Sequence, residues 1–201
     1  MIKKYHYIHI NKCAGTSIHR WFNNNLIPVW ECNSGDHFII KNYENDVTYI
    51  TSVRNPYNRI VSHYKQWVIN EWTDIKDVNK FIQCFPECYK NNSTETLLKS
   101  NTYDFWKNAD NSPIGIRMIK PCMYWIKDTG IVKWFKFEEL GYLQNYFVNQ
   151  GFTVDNIHEV RVKKTITEGK KSYIDLLDSK SIQIINEYFK EDFEFFKYKM
   201  I

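Results

Sequence analysis

Lys12-Cys13-Ala14-Gly15-Thr16-Ser17 sets one cation, three small residues and two hydroxyls in a row. The run follows Tyr5-His6-Tyr7-Ile8-His9-Ile10 and precedes Ile18, Trp21, Phe22 and Leu26, which recur at near-helical spacing. A small-residue loop between a strand and a helix turns several backbone N–H groups towards one point, and the helix dipole adds partial positive charge there. Lys12 contributes a full charge, and the Thr16 and Ser17 hydroxyls can donate. Phosphate is the natural guest of such a cradle. The lysine precedes the glycine, so this is not the G-x-x-x-x-G-K-[ST] loop of an ordinary nucleoside triphosphate site. A plainer reading of the same residues is a tight turn with Thr16 as N-cap and Lys12 in solvent.

A second constellation is Ser52-Val53-Arg54-Asn55-Pro56-Tyr57-Asn58-Arg59-Ile60-Val61-Ser62-His63-Tyr64. Arg54 falls where a strand ends, and Ser62 lies eight residues on, within the next helix. A guanidinium is a planar fork of N–H groups that suits phosphate, and serine adds a hydroxyl. Arg59 is assigned a structural role, paired with a carboxylate, rather than ligand contact.

These residues need elements to hold them. Lys4 to Ile10 reads as a strand stopped by Asn11-Lys12, followed by a helix that ends at Asn23-Asn24-Asn25 and Pro28. Val47 to Val53 reads as a buried strand, and Tyr57 to about Trp72 as a helix with Ile60, Val61, Tyr64, Trp67 and Val68 on one face. Helical spacing returns at Arg117 to Ile126, a strand follows at Ile131 to Phe137, and a helix runs from Glu138 to about Gln150. Ser172 to Phe196 is mostly helical. Alternation of strand and helix predicts an α/β fold with a mostly parallel sheet, and its ligands bind at the carboxyl ends of the strands. Residues 11–17 and 54–56 both fall at that edge.

The 201 residues suit one domain, 1–201, in which Thr73 to Pro113 is polar, aromatic-rich and irregular. That stretch is expected to be an insertion, with short helices at 78–85 and 93–100, that shapes a substrate cleft. Its aromatic residues are expected to be mostly core. The net charge is +4, from 27 Lys plus Arg against 23 Asp plus Glu, scattered rather than blocked. No recognition motif accompanies it, so no nucleic-acid partner is expected, whereas a small polyanion suits it. Five cysteines without metal-like spacing predict reduced thiols and no metal site. No apolar run approaches the ~18 residues of a membrane span, and no apolar leader opens the chain. The expectation is a cytoplasmic protein without membrane contact.

Four stretches together resemble the sulfotransferases. Lys12 to Ser17 is similar to their 5′-phosphosulfate loop, and Arg54 to Tyr64 to their 3′-phosphate motif. Trp134-Phe135-Lys136-Phe137-Glu138-Glu139-Leu140 resembles their strand ending in Phe-Glu-x-Leu, and Tyr188 to Tyr198 their closing Tyr-x-x-Asp-Phe-x-x-Phe-x-Tyr helix. The likeness is closest to the branch of the heparan sulfate 2-O- and 6-O-sulfotransferases and their short bacterial and viral relatives. It covers almost the whole chain, with 73–113 unmatched. Asn11 stands for the usual proline, Cys13 for the usual threonine, and Lys120-Pro121-Cys122 for Arg-Pro-Gln.

The resemblance implies a P-loop NTPase-like three-layer sandwich, a central sheet flanked by helices. It implies 3′-phosphoadenosine 5′-phosphosulfate as the sulfuryl source and a hydroxyl or amine, favoured by branch on a carbohydrate, as acceptor. Lys12 with the N–H groups of Cys13, Ala14, Gly15, Thr16 and Ser17 would hold the 5′-phosphosulfate and stabilise the leaving oxygen. Arg54 and Ser62 would hold the 3′-phosphate, and Lys163, Lys164 and Thr165 would cover the nucleotide, with Lys164 the principal candidate. His37 stands where the branch places its base, and an imidazole suits that work; Glu31, Asp36, His63 and, more weakly, His158 are rivals. Two other functions stay open at this stage: a sulfotransferase-like protein that binds nucleotide or glycan without turnover, and a P-loop nucleotide kinase.

Overall fold

Hydrophobic alternation and small-residue breaks build two compact units in a computed structural model that describes residues 4–31, 40, 42–99, 102, 114–126, 130–160 and 172–201. Residues 1–55 and 122–164 make the first unit; residues 56–121 and 165–201 make the second.

The first unit is an α/β layer. Strands β1 (Lys4–Ile8), β2 (Val29–Glu31), β3 (Val47–Val53) and β4 (Val132–Lys136) form a four-stranded sheet in the order β2-β1-β3-β4. Every pairing is parallel, with Ile8 opposite Thr51 and Val53 opposite Lys136. The expected parallel α/β sheet is thus present. β3 is buried from Tyr49 to Val53 without alternation, as a central parallel strand must be when both faces are covered. Helices α1 (Gly15–Asn24) and α6 (Gly141–Asn149) flank the sheet. Their Ile18, Trp21, Phe22, Leu143 and Phe147 share one core with Tyr5, Tyr7 and Ile50. Phe147 is its centre: edge-on ring contacts join it to Tyr5 at 5.2 Å and Phe22 at 5.4 Å. Because the strands are parallel, Ile8, Val53 and Lys136 all end at one edge. The loops that leave this edge carry the candidate chemistry.

β2 was not visible in the sequence, since three residues are too few for a periodic signal. The helix expected over 117–126 is split into α5 (Ile114–Met118) and a 3₁₀ turn over Cys122–Trp125. Pro121 causes the split, because it lacks an N–H and disfavours α geometry in the residue before it.

The second unit is helical: α2 (Pro56–Ile69), α3 (Val78–Gln83), α4 (Phe85–Asn91), α5, α7 (Ser179–Tyr188) and α8 (Lys190–Phe196). Tyr57, Ile60, Trp67, Phe81, Phe85, Ile185, Phe189 and Phe193 form its core. The Asp77 and Asp178 carboxylates cap α3 and α7, accepting from the Lys80 and Ser181 N–H groups at 2.8 and 2.7 Å. The stretch expected to be irregular contributes α3, capped by Asp77 where a helix at 78–85 was expected, and α4, which has no side-chain cap. Residues 93–99 are turns rather than the expected helix. Leu97 and Leu98 N–H groups both bond Thr94 O, and the Lys99 N–H then bonds Trp72 O at 2.9 Å, which draws the chain off a helical path. Among the described residues, no helix is long and apolar enough to cross a membrane.

Candidate anion-binding site

β1 delivers the loop His9-Ile10-Asn11-Lys12-Cys13-Ala14 to the N-terminus of α1. The loop is tightly wound. Lys12 and Ala14 have φ of 62° and 68°, a left-handed conformation that costs an ordinary side chain free energy and must be imposed from outside. Ala14 is the N-cap, with no side-chain cap, and its carbonyl accepts from the Ser17 and Ile18 N–H groups at 2.9 and 3.0 Å. Thr16 is exposed, within the first turn of the helix, so the reading of Thr16 as cap does not hold. The first turn of α1 carries no acidic residue. An uncapped helix start without a carboxylate leaves its N–H groups and dipole to an anion.

What imposes the loop's shape comes from β3. The Tyr7 hydroxyl donates to Ser52 Oγ at 2.6 Å, and Ser52 Oγ donates to the Cys13 carbonyl at 2.5 Å. Thr51 Oγ1 donates to the Ile8 carbonyl at 2.7 Å. All of these groups are buried, where a satisfied hydrogen bond holds its geometry firmly. Arg54, one residue past β3, donates from Nη1 to the Lys12 carbonyl at 3.3 Å. Its guanidinium lies 4.4 Å from the centre of the Phe137 ring, in the turn after β4. Next to it, Glu138 accepts from the Asn55 N–H at 3.0 Å.

Gly15 is the one glycine whose smallness the site demands. A Cβ there would lie 2.0 Å from His9 Cδ2 and 2.1 Å from His9 Nε2, so the imidazole rests directly on the glycine backbone. Gly15→Ala is expected to lower stability by ~1–3 kcal/mol, the scale of overpacking a filled site. Melting curves of Gly15→Ala and of the double variant Gly15→Ala/His9→Ala would check this, the double variant melting higher than the single one. Equal or higher melting of Gly15→Ala relative to the parent would contradict it.

The structure thus brings Lys12, Cys13, Ala14, Gly15, Thr16 and Ser17 together with Arg54. Ser62 belongs to the second unit, buried in α2. So do His63, buried in the same helix, and Arg59, whose partners include the backbone carbonyls of Met118 and Lys120. His37, Asp36, Lys163, Lys164 and Thr165 lie outside the described residues, and Glu31 ends β2. His158 is exposed in a 3₁₀ turn. Sequence reasoning missed the supports Tyr7, Thr51, Ser52 and Phe137. Thr51 and Ser52 left no distinct signal, because Thr48 and Tyr49 put further hydroxyls in the same strand. Among the described residues, no group of three or more His, Cys, Asp or Glu is placed to hold a metal ion.

A parallel α/β sheet with a wound loop, an uncapped helix start and two cations at its carboxyl edge has the groups that a phosphate-type anion needs. The family model of the sulfotransferase family matches residues 3–199, so the chain belongs to that family. No curated protein and no solved structure matches it. Membership gives the class of reaction, sulfuryl transfer to an acceptor.

Proposed function

We propose that this sulfotransferase takes its sulfuryl group from 3′-phosphoadenosine 5′-phosphosulfate and passes it to a carbohydrate hydroxyl. The observation that carries the reading is the Arg54 guanidinium bonded to the Lys12 carbonyl, which joins the two phosphate-type motifs in one place. The group set fits a donor with two anionic ends: Lys12, Arg54 and the N–H groups of 13–17, with no acidic residue in the first turn of α1. The bound donor supplies an electrophilic sulfur whose displacement leaves charge on a phosphate oxygen.

The protein's share is positioning and charge stabilisation. Lys12 and the loop N–H groups face the oxygen on which charge grows, and they need not reorganise, because Ser52 and Arg54 already fix the loop carbonyls. Arg54 reads the 3′-phosphate, and Phe137 beneath it keeps the guanidinium in plane. His37 takes the proton of the acceptor hydroxyl, and Lys164 covers the nucleotide.

The test is a comparison of ligands. Arg54→Ala is expected to weaken binding of 3′-phosphoadenosine 5′-phosphate by ~10-fold or more, since a hydrogen bond to a charged group is worth ~1.5–3 kcal/mol. Binding of adenosine 5′-phosphate should fall far less, by the share that comes from releasing the Lys12 carbonyl. Titration calorimetry of both ligands checks this, and equal losses for the two would mean that Arg54 does not read the 3′ group.

A further inference from the structure

Cys13 and Cys122 are 109 residues apart in sequence, yet their sulfurs lie 3.8 Å apart within the first unit. Both side chains are fully buried, and neither is in a disulfide. Cys13 is in the anion loop itself, between the two left-handed residues Lys12 and Ala14. Cys122 opens the 3₁₀ turn that follows Pro121. We propose that Cys13 and Cys122 form a reversible disulfide that switches off the anion loop. The proposal adds regulation to the donor site and rests on that reading for its effect, though not for the bond itself.

A disulfide needs its sulfurs about 2.05 Å apart, so the pair must close by a little under ~2 Å. That movement cannot stay local. The Cys13 carbonyl is held by Ser52 and the Lys12 carbonyl by Arg54, and the left-handed residues on either side leave the backbone little slack. Pulling the Cys13 side chain towards Cys122 therefore turns the neighbouring N–H groups away from their common point. The chemistry closes with a peroxide as oxidant. One sulfur attacks a peroxide oxygen, the O–O bond breaks, and a sulfenic acid forms with loss of one water. The second thiol displaces the hydroxyl as a second water, giving the S–S bond. Two thiols have then lost two electrons and two protons, and hydrogen peroxide has become two waters. A thiol reductant reverses the bond. Linkage runs both ways, so an occupied loop should favour the dithiol over the disulfide at equilibrium more than an empty one does.

The experiment treats the full chain with hydrogen peroxide and follows two readouts. Peptide mass mapping without reductant should find the Cys13 and Cys122 peptides joined and two hydrogens lighter than their sum. Calorimetry with 3′-phosphoadenosine 5′-phosphate should show at least ~10-fold weaker binding after oxidation, restored by dithiothreitol. In a glutathione redox buffer at equilibrium, bound 3′-phosphoadenosine 5′-phosphate should lower the cross-linked fraction. Cys122→Ser and, as a second choice for folding, Cys122→Ala should bind like the parent when reduced and keep that affinity after peroxide. Cross-linking through Cys32, Cys84 or Cys88 instead, or a Cys13–Cys122 bond that leaves binding unchanged, would overturn the proposal. If the reduced parent does not bind the bisphosphate at all, the donor reading and the switch fall together; if it binds but no cross-link forms, only the switch falls.

Discussion

Lys12→Ala is expected to slow sulfuryl transfer by ~10²-fold or more, the scale of losing one preorganised group at a developing oxyanion. The reason is local. Lys12 is set in a left-handed conformation, with its carbonyl tied to Arg54, so its backbone is fixed before any ligand arrives. The backbone therefore needs no ordering when the donor binds. Lys12→Arg should recover little, because a planar fork on a longer stem does not reproduce a point charge at the same place. Steady-state transfer from labelled 3′-phosphoadenosine 5′-phosphosulfate reads the effect. A fall in kcat larger than the loss of product affinity marks charge stabilisation rather than plain binding. An unchanged rate would remove Lys12 from the reaction.

The second large effect is on stability, at Arg59. This side chain is completely buried in the second unit, donating from Nη1 to the Lys120 carbonyl at 2.7 Å and from Nη2 to the Met118 carbonyl at 3.5 Å. Those carbonyls lie at the end of α5, just before Pro121, where the helix has no further N–H groups to offer. Tyr89 works beside it, donating to the Ile119 carbonyl at 2.8 Å, and burial holds its hydroxyl far above the usual phenol range. Arg59→Ala strands at least one carbonyl and opens a cavity. The expected cost is ~3 kcal/mol or more, and at roughly 2–4 °C per kcal/mol for a chain of this size the melting temperature should fall by about 6–12 °C. Thermal melts of Arg59→Ala beside the parent would show it. A shift of only about a degree would mean that water replaces the guanidinium without loss.

Arg59 illustrates what sequence can and cannot give. Its structural role was expected from the sequence, whereas its complete burial was not. Nor was it legible that the Met118 and Lys120 carbonyls are among its acceptors, since backbone carbonyls have no sequence signature. The anion loop was legible for a different reason. Its function lies in backbone geometry, and backbone geometry is what small residues between a strand and a helix announce. The residues that brace it were opaque, because Ser52 and Thr51 act through contacts 39 and 43 residues away in sequence. Gly15 was read as a loop glycine. The imidazole of His9 lying on its backbone is a tertiary fact, and it explains why no larger residue fits. In the second unit, α3 was legible as the helix expected at 78–85, whereas α4 escaped because Pro86, one residue into it, interrupts the helical pattern.

A thermal-shift titration with 3′-phosphoadenosine 5′-phosphate, run beside ATP, GTP and adenosine 5′-phosphate, tests the donor site most directly. A ligand that binds only the folded chain adds about 2.7 kcal/mol at 100 times its dissociation constant. The 3′,5′-bisphosphate should raise the melting temperature selectively, and the shift should shrink in Arg54→Ala. Stabilisation by ATP in its place, or no shift with any of the four nucleotides, would contradict a donor site built from Lys12, the loop N–H groups and Arg54.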